Sequence, residues 1–243
     1  MATKGSGTLL FQARPARTSI AKKVTFKASL VDGDGGPQGD AVATGSIAKN
    51  GRVLFTIYLP DGKRVSYSGR VLDGGMIALY VQAADGDAPV MLGNLLLRSL
   101  NTGSDLDGIV RLSTRDYDQQ RNLVGSYYRV PAKKALPLSS ISVGTNNSQL
   151  VWEGGAFDGI KKTATWAPSK ISAVTSVNDQ TSVSYDRNTG LIQVTYQCKD
   201  VASPLNQTTA TGYAVVVQRM NLTQGFYNSP GSSGVFSIWP ATR

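Results

Sequence analysis

Five runs near the C-terminus decide how this chain folds: Val183-Ser-Tyr-Asp-Arg-Asn-Thr-Gly190, Leu191-Ile-Gln-Val-Thr-Tyr-Gln197, Gly212-Tyr-Ala-Val-Val-Val-Gln218, Gly225-Phe-Tyr227 and Gly234-Val-Phe-Ser-Ile-Trp239. Each is short, rich in β-branched and aromatic residues, and bounded by Asn, Gly, Pro or Ser. This is the composition of strands separated by turns. Asn188-Thr-Gly190 is the sharpest turn signal, because Asn and Gly tolerate the positive φ that tight hairpins demand. The run Thr208–Gln218 is long and uncharged, and an uncovered edge of that kind would recruit another chain. It is therefore expected in the centre of a sheet.

The same grammar extends through the rest of the chain. Ile20 to Val31 alternates as a strand, Arg52 to Leu59 and Lys63 to Val71 flank the turn Pro60-Asp-Gly62, and Met76 to Val81, Val90 to Leu97 and Ile109 to Leu112 follow glycine and aspartate corners. Strands recurring roughly every 10 to 12 residues are the spacing of sandwiches and barrels. No segment carries a sustained 3.6-residue period with caps, so at most one short helix is expected. The expected fold is all-β, an antiparallel meander forming a barrel or a sandwich. An echo between Asn50-Gly-Arg-Val-Leu-Phe-Thr-Ile-Tyr58 and Thr189-Gly-Leu-Ile-Gln-Val-Thr-Tyr196 adds two pseudo-repeated halves to that expectation. With Pro131-Ala-Lys-Lys-Ala-Leu-Pro137 as the crossover, the chain divides into a basic, partly irregular arm (1–27), a first β half (28–135) and a second (136–243).

With 243 residues, 41% hydrophobic, the chain can bury a sizeable core. Histidine is absent, which removes the usual general base of hydrolases and the commonest zinc ligand. Glu153 is the lone glutamate, and most aspartates stand beside glycine in turns, where carboxylates cap backbone groups. Cys198 is the single cysteine, so no internal disulfide exists; within a strand it reads as a small buried hydrophobe. No run approaches the roughly 20 apolar residues of a membrane helix. Residues Met1 to Gly7 contain no apolar signal region, so the protein is expected to stay inside or to be one piece of something larger.

Three sets of residues are candidates for contact. Trp152, Trp166, Trp239 and Tyr227 are aromatic enough to stack a glycan ring or an unstacked base, or to fill a core instead. The net charge is +9, and Lys4, Arg14, Arg17, Lys22, Lys23 and Lys27 all precede the first acid, Asp32. Such an arm contacts nucleic acid or an acidic surface by counterion release, or is an ordinary solvated segment. Asp32, Asp34 and Asp40 in Asp32-Gly-Asp-Gly-Gly-Pro-Gln-Gly-Asp40 imitate the opening of a calcium loop, but the closing bidentate Glu is missing, and a polar glycine turn accounts for them equally. No cofactor is expected.

The order of Thr44-Gly-Ser-Ile-Ala-Lys-Asn-Gly-Arg52, Leu59-Pro-Asp-Gly-Lys63, Leu92-Gly-Asn-Leu95, Asp105-Leu-Asp-Gly108, Gly125-Ser-Tyr-Tyr128, Asn188-Thr-Gly-Leu191 and Gly225-Phe-Tyr-Asn228 is similar to the glycine-punctuated C-terminal β region of large secreted or surface proteins of Verrucomicrobia-type bacteria. The resemblance covers about residues 40 to 240 and rests on turns and apolar strand cores. It implies a non-enzymatic module of extracellular or cell-surface origin, with protein partners, serving display, adhesion or assembly. A carbohydrate-binding module using exposed Trp and Tyr, and a capsid-like shell protein with a basic nucleic-acid-contacting arm, are the alternatives.

Overall fold

The computed structural model describes residues 16, 21–33, 35–82, 89–98, 103–114, 116–176, 178–199 and 207–241. Eight strands form a first antiparallel sheet: β1 (Lys22–Asp32), β2 (Ala41–Ile47), β3 (Arg52–Tyr58), β4 (Arg64–Arg70), β5 (Met76–Gln82), β6 (Pro89–Leu97), β7 (Leu106–Ser113) and β8 (Asp118–Tyr128). Eight more form a second: β9 (Ser148–Glu153), β10 (Lys161–Ala167), β11 (Lys170–Ala173), β12 (Asp179–Asp186), β13 (Leu191–Lys199), β14 (Gln207–Val217), β15 (Leu222–Ser229) and β16 (Ser232–Pro240). The helical content of the described residues is three single 3₁₀ turns.

Each sheet meanders in chain order and its last strand pairs with its first, β8 with β1 and β16 with β9. Both are therefore nearly closed up-and-down barrels, an architecture that leaves almost no exposed edge. The expected all-β meander with two halves is what the chain forms. One ladder is missing from each ring, between β4 and β5 in the first and between β11 and β12 in the second. The Tyr67 hydroxyl bridges the first seam by donating to Ala78 O at 2.7 Å. The second is spanned by the Lys162–Asp179 ion pair and by an edge-on contact of Trp166 with Tyr185, their centroids 5.4 Å apart. The sequence echo does not mark equivalent strands: its first half is β3, third in its barrel, and its second half is β13, fifth in its own. Two hairpins of similar composition produced it.

Alternation puts one face of every strand inside. In β3, Val53, Phe55 and Ile57 are buried while Arg52 and Leu54 are exposed. Burying such a side chain contributes about 1.5–3 kcal/mol. β14 breaks the alternation for a reason: Ala210, Ala214 and Val216 fill the second barrel while Val215 and Val217 pack on Val42 of β2. The uncharged run thus lies between β13 and β15, as its composition predicts, and its C-terminal half, Ala214 to Val217, is covered on both faces. Tyr58 stacks on Tyr213 at 4.2 Å in the same interface, and Thr25 Oγ1 donates to Val216 O at 2.6 Å.

Residues 129–147 cross between the barrels without strand structure, and Leu138 and Ile141 from this segment join the second core. Gln218 fastens the crossing by accepting from Arg129 N at 2.7 Å and donating to Arg129 O at 2.9 Å.

Candidate functional site

The aspartate-glycine loop after β1 is a clamp. Arg121, fully buried on the inward face of β8, donates to Gly39 O at 2.6 Å, Pro37 O at 3.0 Å and Gln119 Oε1 at 2.6 Å, holding the loop over the end of the first barrel. Gln38 N donates to Ser233 Oγ at 2.8 Å and Asp40 N to Gly225 O at 3.2 Å, so the same loop is tied to the second barrel. Asp40 is buried in an ion pair with Lys27 at 2.9 Å, and Asp32 Oδ1 accepts from Gly33 N at 2.9 Å. This corrects the metal expectation for Asp40, whose charge is met by Lys27, while Asp32 stays exposed with Oδ1 on its own turn. Asp34 lies outside the described residues, and among those no group of three metal-ligating side chains exists.

The basic residues divide similarly. Lys4, Arg14 and Arg17 lie outside the described residues. Lys22, Lys23 and Lys27 belong to β1 and not to an irregular arm. Lys22 sits over the Tyr127 ring at 4.5 Å, Lys23 Nζ donates to Asn188 O of the second barrel at 2.9 Å, and Lys27 is buried against Asp40. Lys27 is therefore withdrawn as a contact for nucleic acid, since its charge is already satisfied inside the barrel junction.

Of the four aromatic candidates, three are core. Trp152, Trp166 and Tyr227 are fully buried inside the second barrel, because their positions fall on the inward parity of β9, β10 and β15. The Tyr227 hydroxyl donates to Gly154 O and accepts from Phe157 N at 3.2 Å, which pins the β9–β10 loop. An exposed platform built from these three is thus excluded. Trp239 is 49% exposed, its indole N–H held by Ser237 Oγ at 2.8 Å.

What the structure assembles instead is a groove on the outer face of β1 to β4, about 490 Å³, walled on one side by Thr189 of the β12–β13 turn. Strand register lays its lining out in two rows. Thr44, Thr56 and Ser66 are successive Cα partners across β2, β3 and β4, and Lys23, Ser46, Leu54 and Ser68 form the neighbouring row from β1 to β4. Neighbouring strands lie about 4.8 Å apart, so the Thr44–Thr56–Ser66 row presents hydroxyls at that interval, while in the other row Leu54 separates Ser46 from Ser68. Leu54, 43% exposed, is the apolar member of that second row. The wall keeps its place because Asp186 Oδ1 accepts from Asn188 N at 2.8 Å, Asp186 Oδ2 accepts from the Thr189 hydroxyl at 2.7 Å, and Gly190 has φ +78°, where an added Cβ would stand 2.6 Å from the Tyr128 ring. Burial raises the pKa of the Tyr67 phenol under the groove, leaving it a neutral hydrogen-bond donor.

The groove was hidden in the sequence by its ordinariness. Outward Ser and Thr positions are what any solvated strand shows, and only the turn from the other barrel makes them the floor of a concavity.

No protein-family model matches the chain, and no curated protein does. A comparison with solved structures finds a protein of unknown function from the DUF3598 family of Nostoc punctiforme PCC 73102, 13% identical, covering 90% of this chain and 93% of that one with a TM-score of 0.21.

Proposed function

We propose that the chain is a non-enzymatic interaction module, used for display, adhesion or assembly, and that the junction groove is its contact surface. One observation carries this reading: the groove is built from both barrels, and the barrels are locked together by the Tyr58–Tyr213 stack, the Val42, Val215, Val217 and Phe226 cluster and the hydrogen bond from Asp40 N to Gly225 O. A surface held in fixed geometry binds without the entropy cost of ordering it. The lining holds mostly hydroxyls with one lysine and a leucine, and no histidine or carboxylate, which is a set suited to recognition.

The test compares the wild-type chain with Thr56→Gln/Ser66→Gln, which fills the groove with neutral bulk. Saturable binding to a panel of purified polysaccharides and surface proteins, lost in the variant, is the expected result. Turnover of ester, glycoside or peptide substrates that disappears with the variant would replace this reading by an enzymatic one.

Trp239 favours a second contact of carbohydrate type, since an indole fixed by Ser237 and half open to solvent is a ready stacking surface for a pyranose ring. A polysaccharide-induced fluorescence shift that vanishes in Trp239→Ala is its signature.

A further inference from the structure

Just beyond the Leu54–Ser68 end of the groove, on the same sheet face, stands a cationic pair that the fold alone does not require. Arg52 and Arg70 are Cα partners across β3 and β4, both exposed, on the same outward face as Leu54 and Ser68. Like charges directly opposite each other destabilise a strand pair. Among the described residues neither guanidinium has a carboxylate within ion-pair distance. Asp73, which follows Arg70 into the next turn, forms no ion pair with either, and Asp186 at the far wall has both oxygens taken by its own turn. Lys23 adds a third positive charge on the β1 side, and the lining holds no acid.

We propose that this groove binds an acidic polysaccharide. Arg52 and Arg70 take its carboxylate or sulfate groups through their planar N–H forks, and the rows of Thr44, Ser46, Thr56, Ser66 and Ser68 meet its ring hydroxyls. The inference rests on the reading of the groove as the contact surface and names what that surface contacts. Two features select the ligand class. The guanidinium fork matches the geometry of a planar or tetrahedral oxyanion, so a paired arginine site is built for one. The hydroxyls of Thr44, Thr56 and Ser66 step from strand to strand at about 4.8 Å, close to the advance of one pyranose residue in an extended chain, so three successive sugars meet an equivalent partner. Single-stranded nucleic acid is the less favoured polyanion: the two rings that line the groove, Phe55 and Tyr67, are buried beneath it and offer no face for a base.

The test titrates the intact chain with heparin and polygalacturonate as acidic probes, dextran as a neutral one and single-stranded DNA, at low and moderate salt. Saturable binding of an acidic polysaccharide that weakens with salt, falls at least tenfold in Arg52→Ser/Arg70→Ser, and is tighter than binding of DNA or dextran supports the proposal. The single variant Arg70→Ser should also raise Tm slightly, because it relieves the like-charge pair in the unbound protein. An unaltered acidic-polysaccharide affinity in the double variant overturns the proposal, as does preference for DNA or dextran, or a Tm that does not rise. If Thr56→Gln/Ser66→Gln abolishes binding to some other purified partner while the arginine variants leave it intact, the groove stands as the contact surface and the acidic polysaccharide falls. If no probe or partner distinguishes any variant from wild type, both fall.

Discussion

In the first barrel, Phe26, Phe55 and Tyr67 pack among aliphatic side chains such as Ile57, Ile77, Leu79 and Leu95, and the inward polar side chains Gln119 and Arg121 stand together at one end, hydrogen-bonded to the capping loop. In the second, eight aromatic rings fill the interior: Tyr128 from the end of β8 joins Trp152, Phe157, Trp166, Tyr185, Tyr196, Tyr227 and Phe236. Its polar groups are dispersed: the Lys162–Asp179 pair bridges the seam on the inward parity of Ala164 and Trp166, and the indole nitrogens of Trp152 and Trp166 have no hydrogen-bond partner. One topology therefore tolerates two ways of filling a cylinder. Aliphatic packing gathers the inward polar groups at the capped end, where among the described residues only Arg121 Nε lacks a partner, whereas large rings fill volume quickly and strand their indole donors across the interior.

The sharpest way to break the contrast is at the capped end. Arg121→Met should cost the first barrel about 3 kcal/mol or more, because the buried oxygens of Pro37, Gly39 and Gln119 lose their donor together, each worth about 1–3 kcal/mol. Chemical denaturation followed by tyrosine fluorescence of a Trp-free background would show it. Next is the interface: Tyr213→Ala removes the ring stacked on Tyr58 and should cost about 2 kcal/mol. Calorimetry should then resolve two transitions where the wild type shows one, since the barrels differ in their cores and only the interface makes them unfold together.

The seam of the second barrel sharpens the comparison through pH. Burial pushes the Asp179 carboxyl upward, but the Lys162 ammonium and Ser176 outweigh it and hold the carboxyl below the usual carboxylate range. A depressed folded pKa contributes stability that is present above the unfolded value of about 3.9 and lost as pH falls through the folded one. Acid should therefore loosen the β11–β12 seam below about pH 4, and Asp179→Asn should flatten that dependence in a pH-resolved Tm series. Asp107 and Asp118 of the first barrel are also lowered, by hydrogen bonds from Arg98 and Arg111, but these pairs are solvent-exposed and contribute little. The smallest effect belongs to Trp166→Phe, which deletes an unpartnered N–H along with some volume; the two changes oppose each other, and the net cost should stay under about 1.5 kcal/mol by urea titration.

Much of this architecture was legible in the chain, and for identifiable reasons. Asn188 to Gly190 reads as a hairpin because the positive φ at Gly190 is a local demand, and Thr208 to Gln218 reads as a covered central strand because eleven uncharged residues cannot face water at an edge. The candidate site was less visible. Trp239 and Trp166 look alike in sequence, yet one lies open on β16 and the other inside the barrel. The carboxylate of Asp40 looks like a ligand until Lys27, thirteen residues earlier, is brought against it.

The chain by itself determined where it extends, where it turns, and which residues of a strand share a side, since these follow from φ preferences and a two-residue period. Only the tertiary structure decided which of those sides is covered, which carboxylates are spent on internal cations, and that a row of unremarkable hydroxyls lies under the wall of a second barrel. Those outcomes depend on what approaches from far along the chain, and a local pattern holds no record of its distant neighbours.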